Sequence, residues 1–147
     1  MLQKILKYSP FKLPIYHNFM QTTSATKTYD LKIRTAQFAK DVRALVRSIP
    51  INITNYDDIK QVLRSSGSIG ANYREADEGV SKRDFANRIK ICRKESKETC
   101  YWLELIADGL SDPLKARCLA LAKEGNEFVL IFNAIVRKTG FEHLAKK

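Results

Sequence analysis

Apolar positions recur at alternating steps of four and three along most of the chain, the spacing that lines one face of an α-helix. Leu31, Thr35, Phe38, Val42, Leu45 and Ile49 make the first run, which opens at Asp30, a good N-cap, and ends at Pro50. Ile59, Val62, Ser66, Ile69, Tyr73 and Ala76 make the second, rich in small residues and closed near Gly79. Ser81 with Asp84 resembles a capping box with Asp in place of Glu. It opens the longest run, Phe85, Ile89, Cys92, Ser96, Thr99, Leu103, Ile106 and Leu110, a rod of about 40 Å at about 1.5 Å per residue. Asp112 is the expected cap of the fourth helix and Pro113 its first helical residue, with Leu114, Cys118, Leu121, Gly125, Phe128, Phe132 and Ile135 along its buried face. No run has the period of a strand.

Four amphipathic helices joined by short loops must reverse direction at each connection, which predicts an all-α, antiparallel up-down-up-down four-helix bundle. The repeat is the heptad itself. At 147 residues the chain has the length of one domain, placed at residues 29–147. Residues 1–28 show no sustained period and turn polar from Thr22 to Thr28, as a flexible N-terminal extension would. A mis-called start, with the natural chain beginning at Met20, accounts for the segment equally well.

Charge changes the picture more than composition does. The net charge is +10; residues 1–29 hold Lys4, Lys7, Lys12 and Lys27 and no acid, which leaves 22 basic against 16 acidic side chains in the remainder. A basic excess spread through the folded part favours polyanionic partners, with nucleic acid first among them. Cys92, Cys100 and Cys118 form no CxxC pair and leave one over, the pattern of reduced thiols in a cytoplasmic protein. The stretch from Met1 to Phe19 is broken by Lys4, Lys7, Pro10, Lys12 and Pro14, so neither a signal peptide nor a membrane span is expected.

The block Arg64-Ser65-Ser66-Gly67-Ser68-Ile69-Gly70-Ala71-Asn72-Tyr73-Arg74-Glu75-Ala76 is followed by Ser81, Asp84-Phe85, Arg88-Ile89, Glu95, Glu98 and Tyr101-Trp102-Leu103. In this order and separation it resembles the four-helix bundle proteins encoded within intervening sequences of bacterial 23S ribosomal RNA genes. The resemblance runs from about Tyr29 to Leu110 in motif and to Lys138 in helix layout, and residues 1–27 fall outside it. It implies a bundle that assembles into a ring-like homo-oligomer, typically a pentamer. A related branch, the accessory proteins of diversity-generating retroelements, binds nucleic acid and a reverse transcriptase. The family name describes gene location and implies no activity.

Arg83, Asn87, Lys90, Lys94, Lys97 and Tyr101 step by four and three, one stripe on the third helix opposite Ile89 and Cys92. From Lys82 to Glu98 there are seven basic residues and three acidic ones, Asp84, Glu95 and Glu98. Such a stripe can lie along phosphates and bind without regard to base sequence. Arg64 and Arg74, with Lys60, are expected to extend it from the second helix. The plainer reading is a solvated face with local ion pairs. Beside the seams lie Ile91, Trp102 and Leu105 on the third helix and Leu119, Ala122, Val129, Leu130 and Val136 on the fourth. One bundle core needs about three positions in seven, so the surplus suggests contact between subunits, against the alternative of a broad core edge.

Gly67, Gly70 and Ala71 let another helix approach closely. Gly67-Ser68-Ile69-Gly70 spells the GXXG of an RNA-binding module that needs strands, and no P-loop ending is present, so both matches are chance. Asn72, Glu75 and Glu98 suit a buried or interfacial hydrogen-bond network. The pairs Glu75/Glu78 and Glu95/Glu98 lack the His of a di-metal bundle, His17 lies in the extension and His143 near the C-terminus, so neither metal nor cofactor is expected. Cys92 and Cys118 sit on seams as core residues, and no nucleophile has a base beside it. The sequence therefore points to a non-enzymatic homo-oligomer that binds RNA or DNA through a basic face. The alternative is an oligomeric scaffold or adaptor for protein partners.

Overall fold

A computed structural model describes residues 30–141, and among them the secondary structure is entirely helical. Helix α1 spans Leu31–Val46, α2 Tyr56–Asp77, α3 Lys82–Asp108 and α4 Asp112–Thr139. The expected N-terminal extension and the alternative start at Met20 lie outside the described residues, as does His143.

Helix boundaries follow from capping chemistry. Asp30 accepts a hydrogen bond from the Lys32 amide at 2.8 Å, and the Ser81 hydroxyl accepts from the Asp84 amide at 3.1 Å, so orphan donors at both N-termini are satisfied. α1 stops at Val46, short of Pro50; Ser48 and Ile49 continue as a turn, and Ile49 reaches the core from there. At α4 the cap is Ser111, so Asp112 is already helical and Pro113 sits within the first turn, where a missing N–H costs nothing. Gly140 ends α4 with φ of 75°, a left-handed conformation that glycine adopts without a Cβ clash.

α3 packs against both α2 and α4, and α1 lies against α2 and more lightly against α4. Every seam residue read from the periodicity is buried except Leu31, Leu110, Leu114 and Leu121, which pack on the core's edge. Phe38 meets Phe128 edge-on with ring centroids 5.3 Å apart, and Phe128 stacks on Phe132 at 6.1 Å. The glycines of α2 admit α1: a Cβ on Gly70 would lie 3.2 Å from Thr35 Oγ1, and one on Gly67 3.2 Å from Arg43 Nη2. Ala71 takes no part in this approach and is exposed. Gly125 does the same for α3, since a Cβ there would lie 2.6 Å from Cys100 Sγ.

Buried hydroxyls pair within the core, with Thr99 donating to Glu95 O at 2.8 Å and lying 2.9 Å from Ser65 Oγ across α2 and α3. Among the described residues no buried side-chain polar atom lacks a partner. Arg34 grips Glu124 with two hydrogen bonds of 2.6 and 3.0 Å and lies over the Phe128 ring, tying α1 to α4. No helix among the described residues is long and apolar enough to cross a membrane.

Candidate nucleic-acid interface

The periodicity of α3 points Arg83, Lys90, Lys94 and Lys97 away from the seam of Ile89, Cys92, Ser96 and Leu103. Arg83, Lys94 and Lys97 are exposed and Lys90 is half-buried. None of the four forms an ion pair with another described residue. Two acids stand on the neighbouring edge of the same helix. Glu95 and Glu98 project toward α2, where Arg64 takes both: its guanidinium is 3.4 Å from Glu95 and closer still to Glu98. The hydrogen bond to Glu98 raises the pKa of Arg64 above its ordinary value. Only Glu98 among these acids stands four residues from a member of the line, Lys94, and Arg64 engages it.

This geometry corrects the expected role of Arg64. Its charge already serves two carboxylates, so the trio carries a net negative charge and does not lengthen a basic patch. Arg74 is exposed but lies on the α1 side of α2, with Nη1 3.6 Å from where a Gly70 Cβ would sit, so it does not join the α3 line. Lys60 stands over the Tyr56 ring and near Asp57 in the first turn of α2.

The polar network expected around Asn72, Glu75 and Glu98 resolves into two clusters. One is Arg64 with Glu95 and Glu98. In the other, Arg88 reaches Glu75 at 2.6 Å and Asn72 Oδ1 at 3.4 Å, while Asn72 donates to Ser68 O at 2.9 Å. The sequence reading did not assign Glu95 or Arg88 to this network. Glu95 sits between seam residues Cys92, Ser96 and Thr99, and a carboxylate at the edge of a buried stripe needs a cation, a signal that pointed to it.

Of the flanking apolar residues, Leu105, Leu119 and Leu130 are exposed, Leu130 to 60%. Ile91 and Trp102 are half-buried, with Trp102 packed on the core. Val129 is a correction: at 9% exposure it belongs to the chain's own core, as do Ala122 and Val136, because α4 buries a stripe two residues wide in places. The exposed remainder falls on two faces. Leu105 stands three residues past Trp102, which bonds Glu98 on the α2 flank of α3, whereas Leu119 and Leu130 flank the Ala122–Asn133 edge by which α4 meets Cys100 and Arg93.

The three cysteines are buried and free. Burial pushes the Cys92 thiol up to about 12 and those of Cys100 and Cys118 up to about 11, so all three stay protonated at neutral pH. Among the described residues no three His, Cys, Asp or Glu side chains converge to hold a metal.

A family model described as 23S rRNA-intervening sequence protein matches residues 27–110. The chain belongs to that family. Within the 23S rRNA-intervening sequence proteins the matched span contains α1 to α3, hence the lysine line and both polar clusters, while α4 lies beyond it. A similar solved structure is the 1.70 Å crystal structure of a protein with unknown function from the S23 ribosomal protein family of Bacteroides thetaiotaomicron VPI-5482. It is 31% identical, covers 71% of this chain and 96% of its own, and superposes with a TM-score of 0.60. No curated protein matches.

Proposed function

We propose that this 23S rRNA-intervening sequence protein is a non-enzymatic, cytoplasmic homo-oligomer that binds RNA or DNA through the outer line of α3. One observation carries the reading: Arg83, Lys90, Lys94 and Lys97 share a line and form no ion pair among the described residues, and Glu98, the acid four residues beyond Lys94, is held by Arg64. Four unneutralised cations on one rod suit a phosphate backbone, which rewards charge without demanding base contacts.

The bundle is read as antiparallel up-down-up-down. In support, contacts on α3 descend as those on α2 rise, from Ser65 with Thr99 through Ile69 with Cys92 to Asn72 with Arg88. Assembly into a ring is supported by exposed apolar residues on two different faces, since a closed ring joins unlike surfaces head to tail. Five copies is the number that the family resemblance implies. The three free, buried cysteines suit a reducing cytoplasm.

The test is binding of the full chain and of a variant with Gln at all four positions to mixed-sequence RNA and DNA over a salt series. The variant should bind more weakly whatever the sequence, with the slope of log affinity against log salt flatter by roughly three to four per engaged subunit. Equal affinity and slope would leave the stripe a solvated face. The scaffold reading, favoured by exposed Leu119 and Leu130, then takes its place.

A further inference from the structure

The outer line of α3 does not stop at Lys97. It runs on through Tyr101, Glu104 and Asp108, each three or four residues further, and all three are exposed. In chain order the line presents cations, then an aromatic ring, then two carboxylates.

Tyr101 is 53% exposed, yet its orientation is set from within the fold. Its ring stands edge-on to Trp102 with centroids 4.9 Å apart and planes at 66°. Trp102 packs on the core and donates its indole N–H to Glu98 at 3.4 Å, and Glu98 is held by Arg64 of α2. A ring fixed along one edge leaves its face open to a flat partner without further ordering of the side chain.

We propose that Tyr101 is the stacking platform for a base of a single-stranded nucleic acid whose phosphates follow Arg83, Lys90, Lys94 and Lys97. This rests on the nucleic-acid reading above and narrows it to a substrate class. Steps of three or four residues along a helix are about 4.5–6 Å, and from Arg83 to Tyr101 the line is about 27 Å long, a footprint of a few nucleotides. Single strands offer unpaired bases whose faces stack on aromatic side chains while a basic groove tracks the backbone. In a duplex those faces are already covered by neighbouring bases, so Tyr101 would have nothing to stack on. A duplex laid along the rod would also carry phosphates past Tyr101 to Glu104 and Asp108, which repel them. The carboxylates thus mark where the strand leaves the helix.

The experiment measures fluorescence anisotropy of a labelled mixed-sequence single strand of roughly ten nucleotides, and of its blunt duplex, with the full chain, at several salt concentrations. It uses the wild type, Tyr101→Leu, Tyr101→Phe and the fourfold Gln variant, each checked for unchanged helicity and melting. The inference expects tighter binding of the single strand than of the duplex. Tyr101→Leu should lose on the order of ten-fold in single-strand affinity with its salt slope unchanged, and Tyr101→Phe should bind like the wild type. If Tyr101→Leu binds as the wild type does, or the duplex binds as well as the single strand, while the Gln variant still weakens binding, the platform is wrong and the basic line stands. If the wild type binds neither probe, or the Gln variant binds both unchanged, both readings fall.

Discussion

Arg64 on α2 reaches across to Glu95 on α3, nitrogen to oxygen 3.4 Å apart, with Glu95 nearly buried and Arg64 half in solvent. The pair sits between the buried Ser65–Thr99 contact and the outer surface. The buried seam of Ile89, Cys92 and Leu103 sets the rotation of α3, and the pair holds the glutamates at its α2 edge while the lysines face outward.

Removing the cation should therefore be costly. Arg64→Ala leaves the buried carboxylate of Glu95 unpaired, and a broken buried pair costs about 3–5 kcal/mol. The exposure of Arg64 lets water replace part of its role, so a loss on the order of 1–2 kcal/mol is expected in urea unfolding. Adding Glu95→Gln should recover part of it, because a neutral amide tolerates the site better. A single variant as stable as the wild type would show that the pair does not hold the α2–α3 interface.

Much of this fold was legible in the chain because the heptad records burial directly: Phe38, Ile69, Leu103 and Phe132 all lie where the spacing put them. Helix ends were less legible, since Ser111 and Asp112 are both good caps and only the chain's path chooses between them. The stripe of the candidate site was readable from α3 alone. That Glu98 is drawn away from it was not, because Arg64 and Glu98 are 34 residues apart and meet only through packing. Val129 was misplaced for a related reason: periodicity gives the centre of a buried face, while its width depends on how closely the facing helix approaches.

Two glycines should respond oppositely to alanine. At Gly67 the new methyl meets only the tip of the Arg43 side chain, which can move, so Gly67→Ala should stabilise by up to about 1 kcal/mol through helix propensity. At Gly125 the methyl would lie 2.6 Å from Cys100 Sγ in a packed core, and a loss of about 1–3 kcal/mol is expected. Cys100→Ala in that background should restore much of the loss, a coupling that thermal melts of the four proteins would measure. Independent effects would mean that α3 and α4 are not so close there.

The ion pair of Lys32 with Asp77 predicts a defined pH window. The hydrogen bond to Lys32 holds the Asp77 carboxyl below its ordinary 3.8, so its stabilisation is present above that pH and lost as pH falls through the lower folded value. Bonding to Asp77 raises Lys32 above 10.5, so its share is complete below that pH and lost as pH rises past the folded value. The stability gap between the wild type and Asp77→Asn should be level across neutral pH and narrow at both extremes. A gap unchanged from pH 7 to 3 would rule out the pair as its source.

Assembly offers the sharpest contrast among the apolar residues. Leu105, Leu119 and Leu130 are exposed in the single chain, so replacing all three by Gln removes greasy surface without opening a cavity. If they join subunits, light scattering should show a smaller species while the melting of the helices stays cooperative. Val129 must behave differently, because its side chain is buried against its own bundle. Val129→Ala should lower stability by roughly 1–3 kcal/mol through lost burial and a residual cavity, and should change the assembly only to the extent that the chain unfolds. A triple variant that keeps the wild-type mass at tens of micromolar, about 10⁻⁵ M, would place the subunit contact elsewhere. Such a result would also shift weight to the polar clusters between α2 and α3, where Arg88 and Glu75 are partly open to solvent.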